Sequence, residues 1–422
     1  MSGAGGVSGA GGPSGASNRG RARVVVGFGA FGLFWGSWGA LVPAVQTGAS
    51  TSNAELGNAL LMVGLGALAS MRLTGGLVDR HGGIVLPIVA ALFGVAGLFP
   101  GLAASPVALG GALLVVGVTS GAMDVALNAA GVDEEVASGR PLLNLAHAGF
   151  SASVVVASLA TGALRAAGAG PREILAGVML LLVGAALGPL RPRRRSPAPH
   201  LPTATAVVAA TATGAGVIAA ASPRRWRMPS TILVALGGLC AVAFVIENAW
   251  QTWSAAHLEH TLGAPAGLSA VAPAVFAAAA TAGRLGGNVA LRRVRGPLLL
   301  AGGALVAAVG SAIGALAGAP LVALFGVGLA GLGTSVCAPT LISMAGAWAG
   351  PARRAAAVST VTTIAYLGFL LGPAVVGQVA DATSLPTALA AIAGLALVLA
   401  ALAPFTARVP IADGSPQPGA MH

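Results

Sequence analysis

Long apolar segments dominate this chain and restrict its fold more than any other feature. Twelve of them follow one another, most with about the 20 residues that an α-helix needs to cross the hydrocarbon core of a bilayer. Only 8% of the 422 residues are charged, whereas a soluble globular protein carries roughly 25%. So few charges cannot cover a water-facing surface. The sequence therefore predicts a helical membrane protein and excludes a soluble enzyme of two or three domains.

The apolar segments alternate with loops in which most of the arginines lie. If the N terminus is placed in the cytoplasm, only Arg165 and Arg172 fall in external loops. This asymmetry is typical of the positive-inside rule, and it predicts an even number of spans with both termini in the cytoplasm. The predicted spans are residues 23–46, 57–79, 84–103, 107–130, 141–166, 172–190, 230–256, 266–289, 297–317, 319–345, 355–380 and 385–408.

A long segment between the sixth and seventh spans divides the chain into two parts. Residues 203–222 within it are uncharged and long enough to cross a membrane, but they are mostly alanine, threonine and glycine. A thirteenth span there would place the later arginine-rich loops outside, so we assign them to a cytoplasmic linker. The predicted organisation is a disordered tail at 1–22, a six-helix bundle at 23–190, a linker at 191–229, a second six-helix bundle at 230–408 and a tail at 409–422.

The two predicted bundles share a sequence register. Trp38 corresponds to Trp250, and Arg72 corresponds to Arg284, at one common offset. Chance matches are less frequent for tryptophan and arginine than for the glycine and leucine that fill the chain. The sequence therefore predicts an all-α polytopic membrane protein, with 12 transmembrane helices in two pseudo-symmetric bundles. This arrangement is typical of secondary transporters.

A few polar side chains remain inside the predicted spans. A charged group at the bilayer centre costs roughly 2.5–3.5 kcal/mol, so such residues should face a protein interior or a water-filled cavity. Asp124 and Asn128 lie one helical turn apart and share a face, and so do Glu247 and Gln251. We predict proton-coupling roles for Asp124, His147 and Glu247, and substrate contacts from Trp35, Trp38, Asn128, Asn144, Glu247, Gln251 and Tyr366.

Several of these residues have structural alternatives that the sequence leaves open. His147 is compatible both with a proton relay to Asp124 and with hydrogen-bonded helix packing, and the tryptophans are compatible with packing. Arg72 and Arg284 lie near the cytoplasmic ends of their spans, so we expect their side chains to reach the lipid headgroups. Residues 257–260 form a His-x-Glu-His run, but exposed loops often contain such runs, and we predict no metal site.

Four motifs give the chain a resemblance to a known family. They are GLVDRHGG at 76–83, GAMDVALNA at 121–129, RPLLNLAH at 140–147 and GFLLGP at 368–373. The first is similar to the signature loop Gly-x-Leu-x-Asp-Arg-x-Gly of the major facilitator superfamily. Together the motifs resemble a bacterial subgroup of sugar or drug transporters that is distantly similar to fucose permeases. The resemblance implies alternating access, in which two six-helix bundles rock about a central cavity.

The resemblance also implies a gate on the cytoplasmic side. In this family the acid of the signature loop contacts the neighbouring bundle, which here would join Asp79 to the basic start of the eleventh span. We therefore expect gating roles for Asp79, Arg80 and Arg353. In the second bundle, Asn288 and Arg292 occupy the region where family members often carry acids, so a second symmetric gate is not expected.

Together, these features predict a secondary transporter that moves a small solute across the cell membrane and couples this movement to protons. An apolar cavity favours the neutral form of a carboxyl group, which lets protonation alternate with exposure. Sugar-like and drug-like cargo are both compatible with the sequence, and a non-transporting receptor or scaffold with the same fold is the alternative. We expect a monomer whose partners are a small-molecule substrate, protons and the lipid bilayer. We expect no cofactor, no metal, no nucleic-acid partner and no enzyme activity.

Overall fold

The computed structural model describes residues 13–191, 230–290, 293–350 and 353–408. The predicted linker beyond Arg191, the predicted tail at 409–422 and most of the tail at 1–22 lie outside the described residues. Arg292 and the side chain of Asn288 also lie outside them, so the expectation about a second gate is not addressed. Every regular element in the described ranges is a helix, which agrees with the predicted all-α fold.

Six helices form the first half of the molecule. Arg23, in the first third of α1, donates from Nε to the carbonyl of Leu190 at 2.9 Å and from Nη2 to that of Gly83 at 2.7 Å. The start of this half, its end and the turn near Gly83 therefore share one side, which we call the terminal face; the other side is the opposite face. The helices are α1 (Pro13–Gly48), α2 (Asn53–His81), α3 (Val85–Ala96), α4 (Pro106–Ser138), α5 (Leu143–Ala166) and α6 (Pro171–Leu187).

The second half is built in the same way, with two of its helices interrupted. A short helix precedes α9, and a break at Ser335 and Val336 separates α11 from α12. A π-helical turn, His257–Thr261, extends α7 at the opposite face. The helices are α7 (Thr231–Ala256), α8 (Ala266–Ser269), α9 (Val271–Ala290), α10 (Gly296–Leu316), α11 (Pro320–Thr334), α12 (Cys337–Ala349), α13 (Arg354–Ala382) and α14 (Leu385–Leu402).

The helices are long and apolar enough for a membrane protein. Within the described residues, 10 segments meet the length and composition of a membrane span. One of them, Asn53–Leu102, contains both α2 and α3, between which Gly82 has a φ of 60°. Helix α6 has 17 residues and is not among the ten. The segments are compatible with twelve crossings, and that number remains a prediction.

Serine residues define where several helices begin. The side chains of Ser105, Ser230 and Ser384 each accept a hydrogen bond from a backbone N–H in the first turn of the helix that follows. At the start of α2, Ser52 accepts from the N–H of Glu55, and the Glu55 carboxylate accepts from the N–H of Ser52. Such caps satisfy N–H groups that have no partner within the helix, so the helices begin at defined positions.

Neighbouring helices approach each other closely at glycine residues. At the crossing of α2 and α4, a Cβ atom on Gly117 would overlap the backbone of Val63, and one on Gly121 would lie 2.7 Å from the Cα of Ala67. Small residues at such crossings are typical of membrane helices, which gain stability from close backbone packing. The same two helices line the cavity described below, so their spacing also sets its shape.

Candidate functional site

A cavity of about 240 Å³ lies between the two halves. Helices α1, α2, α4 and α5 line it from the first half, and α7, α9 and α13 line it from the second. Its volume lies just below the roughly 300–1,000 Å³ of pockets for drug-sized ligands. The cavity therefore suits a small solute.

Aromatic side chains form much of the cavity wall. Trp35 and Trp38 contribute from α1, and Tyr366 contributes from α13. The hydroxyl of Tyr366 is buried and has no hydrogen-bond partner among the described residues. Further aromatic lining comes from Phe31, Phe150, Phe276 and Phe369. Such walls favour a ligand with an apolar body or with exposed ring faces.

The first half contributes one acid to the cavity. Asp124 is only 1% exposed, and its Oδ1 accepts a hydrogen bond from Nδ2 of Asn128 at 3.0 Å. Its Oδ2 has no partner within the described part of the chain. Asn128 also donates to the backbone carbonyl of Asp124 at 2.9 Å and does not line the cavity. Asn128 therefore positions Asp124 in this conformation, and its predicted contact with substrate is not formed by this arrangement.

The second half contributes an ion pair. Oε1 of Glu247 accepts hydrogen bonds from Nη2 of Arg284 at 2.8 Å and from Nε2 of Gln251 at 3.0 Å. All three residues line the cavity, and the helical spacing of Glu247 and Gln251 gives them a common face, as expected.

The position of Arg284 corrects the expectation that its side chain reaches the headgroups. On α9, the residues that line the cavity recur every three or four positions from Pro273 to Arg284, which places Arg284 on the cavity face. Depth in the span alone did not reveal this position, whereas the three- and four-residue spacing along α9 does. Arg72, at the corresponding position of the first half, is exposed.

Two further predicted residues, besides Asn128, lie outside the cavity lining. His147 is 5% exposed and packs edge-on against Phe28 with ring centroids 4.6 Å apart. Neither ring nitrogen has a hydrogen-bond partner among the described residues, so the hypothetical relay to Asp124 has no direct contact here. Asn144 is exposed. The roles predicted for these two residues remain predictions.

An ion pair joins the halves at the opposite face. Nη2 of Arg165 lies 2.7 Å from Oε1 of Glu259, and Nη1 lies 2.9 Å from Oε2. Nη1 also donates to the carbonyl of Ala40 at 3.0 Å. The side chains of Arg165 and Glu259 are only 6% and 21% exposed. Sequence reasoning missed this pair, because Arg165 was assigned to an external loop.

Two residues of the His-x-Glu-His run contact other protein groups in this conformation. Glu259 is engaged with Arg165, while Nε2 of His257 lies 3.0 Å from the carbonyl of Gly314. Within the described residues, no group of three or more metal-ligating side chains comes together.

A second contact between the halves completes the first turn of α2. The Asp381 carboxylate at the end of α13 accepts hydrogen bonds from the N–H of Asn53 at 2.9 Å and that of Ala54 at 3.0 Å. One turn away, a Cβ atom on Gly57 would lie 2.7 Å from the carbonyl oxygen of Pro373. The two halves are therefore in direct backbone contact at the opposite face.

The terminal face differs from the opposite face. Asp79, Arg80 and Arg353 are exposed, and no hydrogen bond or ion pair between them is found in the described residues. A Cβ atom on Gly75 or Gly76 would meet nothing within 4 Å. The cavity is thus closed toward the opposite face, while the predicted gate at the terminal face is not assembled in this conformation. The gating roles remain predictions.

Comparison with known proteins gives the family. The family model of the Major Facilitator Superfamily matches residues 252–421. An uncharacterized MFS-type transporter of Yersinia pestis is 32% identical over 375 residues, which are 88% of this chain and 92% of that protein. This chain belongs to the Major Facilitator Superfamily. Membrane protein MosC of Rhizobium meliloti is similar to it over 92% of this chain and 89% of its own length, at 27% identity.

Solved structures share the fold of this superfamily member. A bacterial homolog of the human lysosomal transporter Spinster, in an inward-facing and occupied conformation, matches with a TM-score of 0.71 at 16% identity, over 94% of this chain and 97% of the other. The D323A mutant of the nucleoside transporter NupG matches with a TM-score of 0.74 at 14% identity, over 92% and 99%. The predicted superfamily and all-α membrane fold are confirmed. The chain is a multi-pass membrane transporter for a small molecule, not an enzyme.

Proposed function

We propose that this protein is a proton-coupled secondary transporter of the cell membrane, and that the central cavity binds its solute. The observation that supports this most strongly is that Asp124 and Glu247 approach one cavity from different halves of the molecule. Movement of the halves would change the surroundings of both acids together. Intramembrane acids that face a cavity are typical of proton pathways.

One-sided closure supports alternating access. The halves are joined at the opposite face by the Arg165–Glu259 pair and by Asp381, whereas Asp79 and Arg353 remain apart at the terminal face. We place the terminal face in the cytoplasm, as the positive-inside rule predicts. The cavity then opens inward, and the predicted gate at Asp79 would form when the cavity faces outward.

The cavity wall is compatible with both cargo classes that the sequence allowed. Aromatic faces beside Asn248, Gln251 and Thr252 suit the ring faces and hydroxyl groups of a sugar or polyol. The same aromatic faces beside Asp124 suit a cationic drug, through cation–π and charge interactions. A solute site between the two halves is what a transporter needs, and a receptor or scaffold would need no acid there.

Neutral substitution of either acid should separate binding from proton coupling. A thermal-shift screen of the purified protein against monosaccharides, polyols, cationic drugs and small carboxylates identifies a solute that binds. That solute is then used in the transport measurements. In proteoliposomes, one proton per solute supports about tenfold accumulation for each pH unit, because 1.4 kcal/mol corresponds to a factor of ten. We expect Asp124→Asn and Glu247→Gln to reduce this accumulation ratio to about one, while exchange of solute across the membrane continues.

Glu173 offers a matched control, because this acid is exposed at the start of α6 and does not line the cavity. Glu173→Gln should accumulate solute as the wild type does. Unchanged pH dependence in both cavity variants would refute proton coupling through these acids. Solute binding without any flux in the wild-type protein would instead favour the receptor or scaffold.

A further inference from the structure

Arg284 is the only lysine or arginine side chain among the described residues that line the cavity. It contacts Glu247 through one hydrogen bond, from Nη2 to Oε1. Its Nε is buried and has no partner within the described residues, and the side chain as a whole is 25% exposed. The guanidinium therefore retains donor capacity that faces the cavity.

Arg165 shows how this chain provides several hydrogen-bond acceptors for a guanidinium with a structural role. That group donates to both carboxylate oxygens of Glu259 and also to the carbonyl of Ala40. Arg284 has only the single contact with Glu247, although a guanidinium carries five donors in a planar fork. A carboxylate that approaches the fork with both oxygens would form the stronger, bidentate arrangement.

Glu247 is held by a second group. Nε2 of Gln251 donates to the same oxygen, Oε1, that accepts from Arg284. If the guanidinium turned toward another anion, the Gln251 amide would still satisfy this oxygen. A proton on Oε2 of Glu247 would remove the charge that otherwise remains buried without a partner.

We propose that the cavity binds a small organic monocarboxylate, whose carboxylate takes the place of Glu247 on the guanidinium of Arg284 while Glu247 accepts one proton. This inference rests on the proposed proton-coupled transport and specifies its substrate class. The anion brings one negative charge and the proton brings one positive charge. The site holds one carboxylate and one guanidinium in both states, so transport of proton and solute together is electroneutral.

The surroundings of Glu247 are compatible with this exchange. The cavity volume of about 240 Å³ suits a small acid, and its aromatic walls suit an apolar body. Asp124 lies on α4 in the other half, where the side-chain amide of Asn128 donates to its Oδ1. The titratable groups that line the cavity with Glu247 are Arg284 on α9, Asp124 on α4 and Tyr366 on α13. Cys337 on α12 and Cys240 on α7 lie near Glu247, and His147 on α5 lies near Arg284.

Binding to the purified full-length protein tests the substrate class. The probes are benzoate, the hydroxylated acid gluconate, and two molecules without a carboxylate, benzamide and benzylamine. We expect at least one acid to bind, more tightly at acidic than at neutral pH, while benzamide and benzylamine do not. Arg284→Gln should weaken acid binding roughly ten- to hundredfold, as expected for loss of charged hydrogen bonds. Arg284→Lys should weaken it less, because it retains the charge without the fork.

Glu247→Gln gives the most specific result. The neutral side chain resembles protonated Glu247, so at neutral pH this variant should bind the acid more tightly than the wild type, with little dependence on pH. If Arg284 served only to neutralise Glu247, the substitution would not strengthen binding of an acid. The matched control is Arg72→Gln, at the corresponding and exposed position of the first half, which should bind as the wild type does.

Folding and flux measurements distinguish loss of the binding site from misfolding of a variant. Arg284→Gln alone leaves Glu247 unpaired, whereas the double variant Glu247→Gln/Arg284→Gln removes both charges and should fold while binding no acid. In proteoliposomes, a pH gradient should drive uptake of the acid, and a membrane potential set with potassium and valinomycin should not. Acid binding that is unchanged in the double variant, or no acid binding in the wild type, would overturn the proposal. If a pH gradient drove uptake of a neutral or cationic solute instead of the acid, the proposed substrate class would be wrong. The proposed proton coupling would remain intact.

Discussion

Replacement of Arg165 by methionine should move the protein toward a conformation that is open at the opposite face. The Arg165–Glu259 pair joins the halves only on that side, and both of its side chains are largely buried. Without Arg165, the Glu259 carboxylate keeps only the Ser269 hydroxyl as a donor among the described residues, and no opposite charge. Breaking a buried ion pair in this way costs roughly 3–5 kcal/mol. This cost falls on the present conformation alone, so its population relative to the other should decrease by a factor of about one hundred or more.

Spin labels across the opposite face can measure this change. Suitable sites are Glu173 at the start of α6 and Gly318 between α10 and α11, which are both exposed. The native Cys240 and Cys337 are buried and should remain unlabelled. With cysteines at the two exposed sites, we expect the distribution of distances between the labels to shift to longer values in the Arg165→Met background.

Two further variants test the cause of the shift. Arg172→Met removes an exposed arginine of the same face and should leave the distances unchanged. Arg165→Met/Glu259→Gln removes both charges, so the opening should be smaller than in the single variant. Equal distance distributions in the wild type and in Arg165→Met would show that the ion pair does not hold this face closed.

Alanine substitutions at two glycines of α4 should change stability in opposite directions. A Cβ atom on Gly117 would overlap the backbone of Val63 on α2, so the two helices would have to move apart. Such overpacking typically costs about 1–3 kcal/mol. A Cβ atom on Gly111, earlier in the same helix, would meet nothing within 4 Å. Alanine there should gain about 0.5–1 kcal/mol, because glycine loses more conformational freedom in a helix.

Thermal unfolding in detergent measures both effects. Gly117→Ala should lower the melting temperature, and Gly111→Ala should raise it slightly. The two proteins differ only in where one methyl group is added to the same helix, which makes each a control for the other. Equal melting temperatures would mean that the α2–α4 crossing can adjust without loss of stability. Because this crossing also forms part of the cavity wall, Gly117→Ala should weaken solute binding as well.

The sequence was informative wherever a property depends on one helix alone. Apolar length predicted the helices, and helical spacing placed Glu247 and Gln251 on one face, where both line the cavity. The scarcity of buried charge also pointed to Asp124, because an acid in a membrane span must face protein or water. These arguments need only the period of a helix and the energy of burying a charge.

The sequence was less informative about contacts between helices far apart in the chain. Arg165 and Glu259 belong to different halves, and no local pattern indicates that they pair. The internal repeat was also an imperfect guide. Trp38 lines the cavity, whereas its counterpart Trp250 is fully buried and donates to Oγ of Ser311 at 2.8 Å. Equivalent positions therefore have different surroundings, because Trp250 packs against α10 within its own half.

The first turn of α2 is completed by the other half of the molecule. Ser52 and Glu55 satisfy each other's backbone N–H groups, but those of Asn53 and Ala54 are satisfied by Asp381. When the halves separate at the opposite face, these two amides lose their acceptor and meet water. The hydrogen–deuterium exchange rate of these two amides would then report how often the protein opens at the opposite face. The start of α2 would therefore be a native probe of the transport cycle.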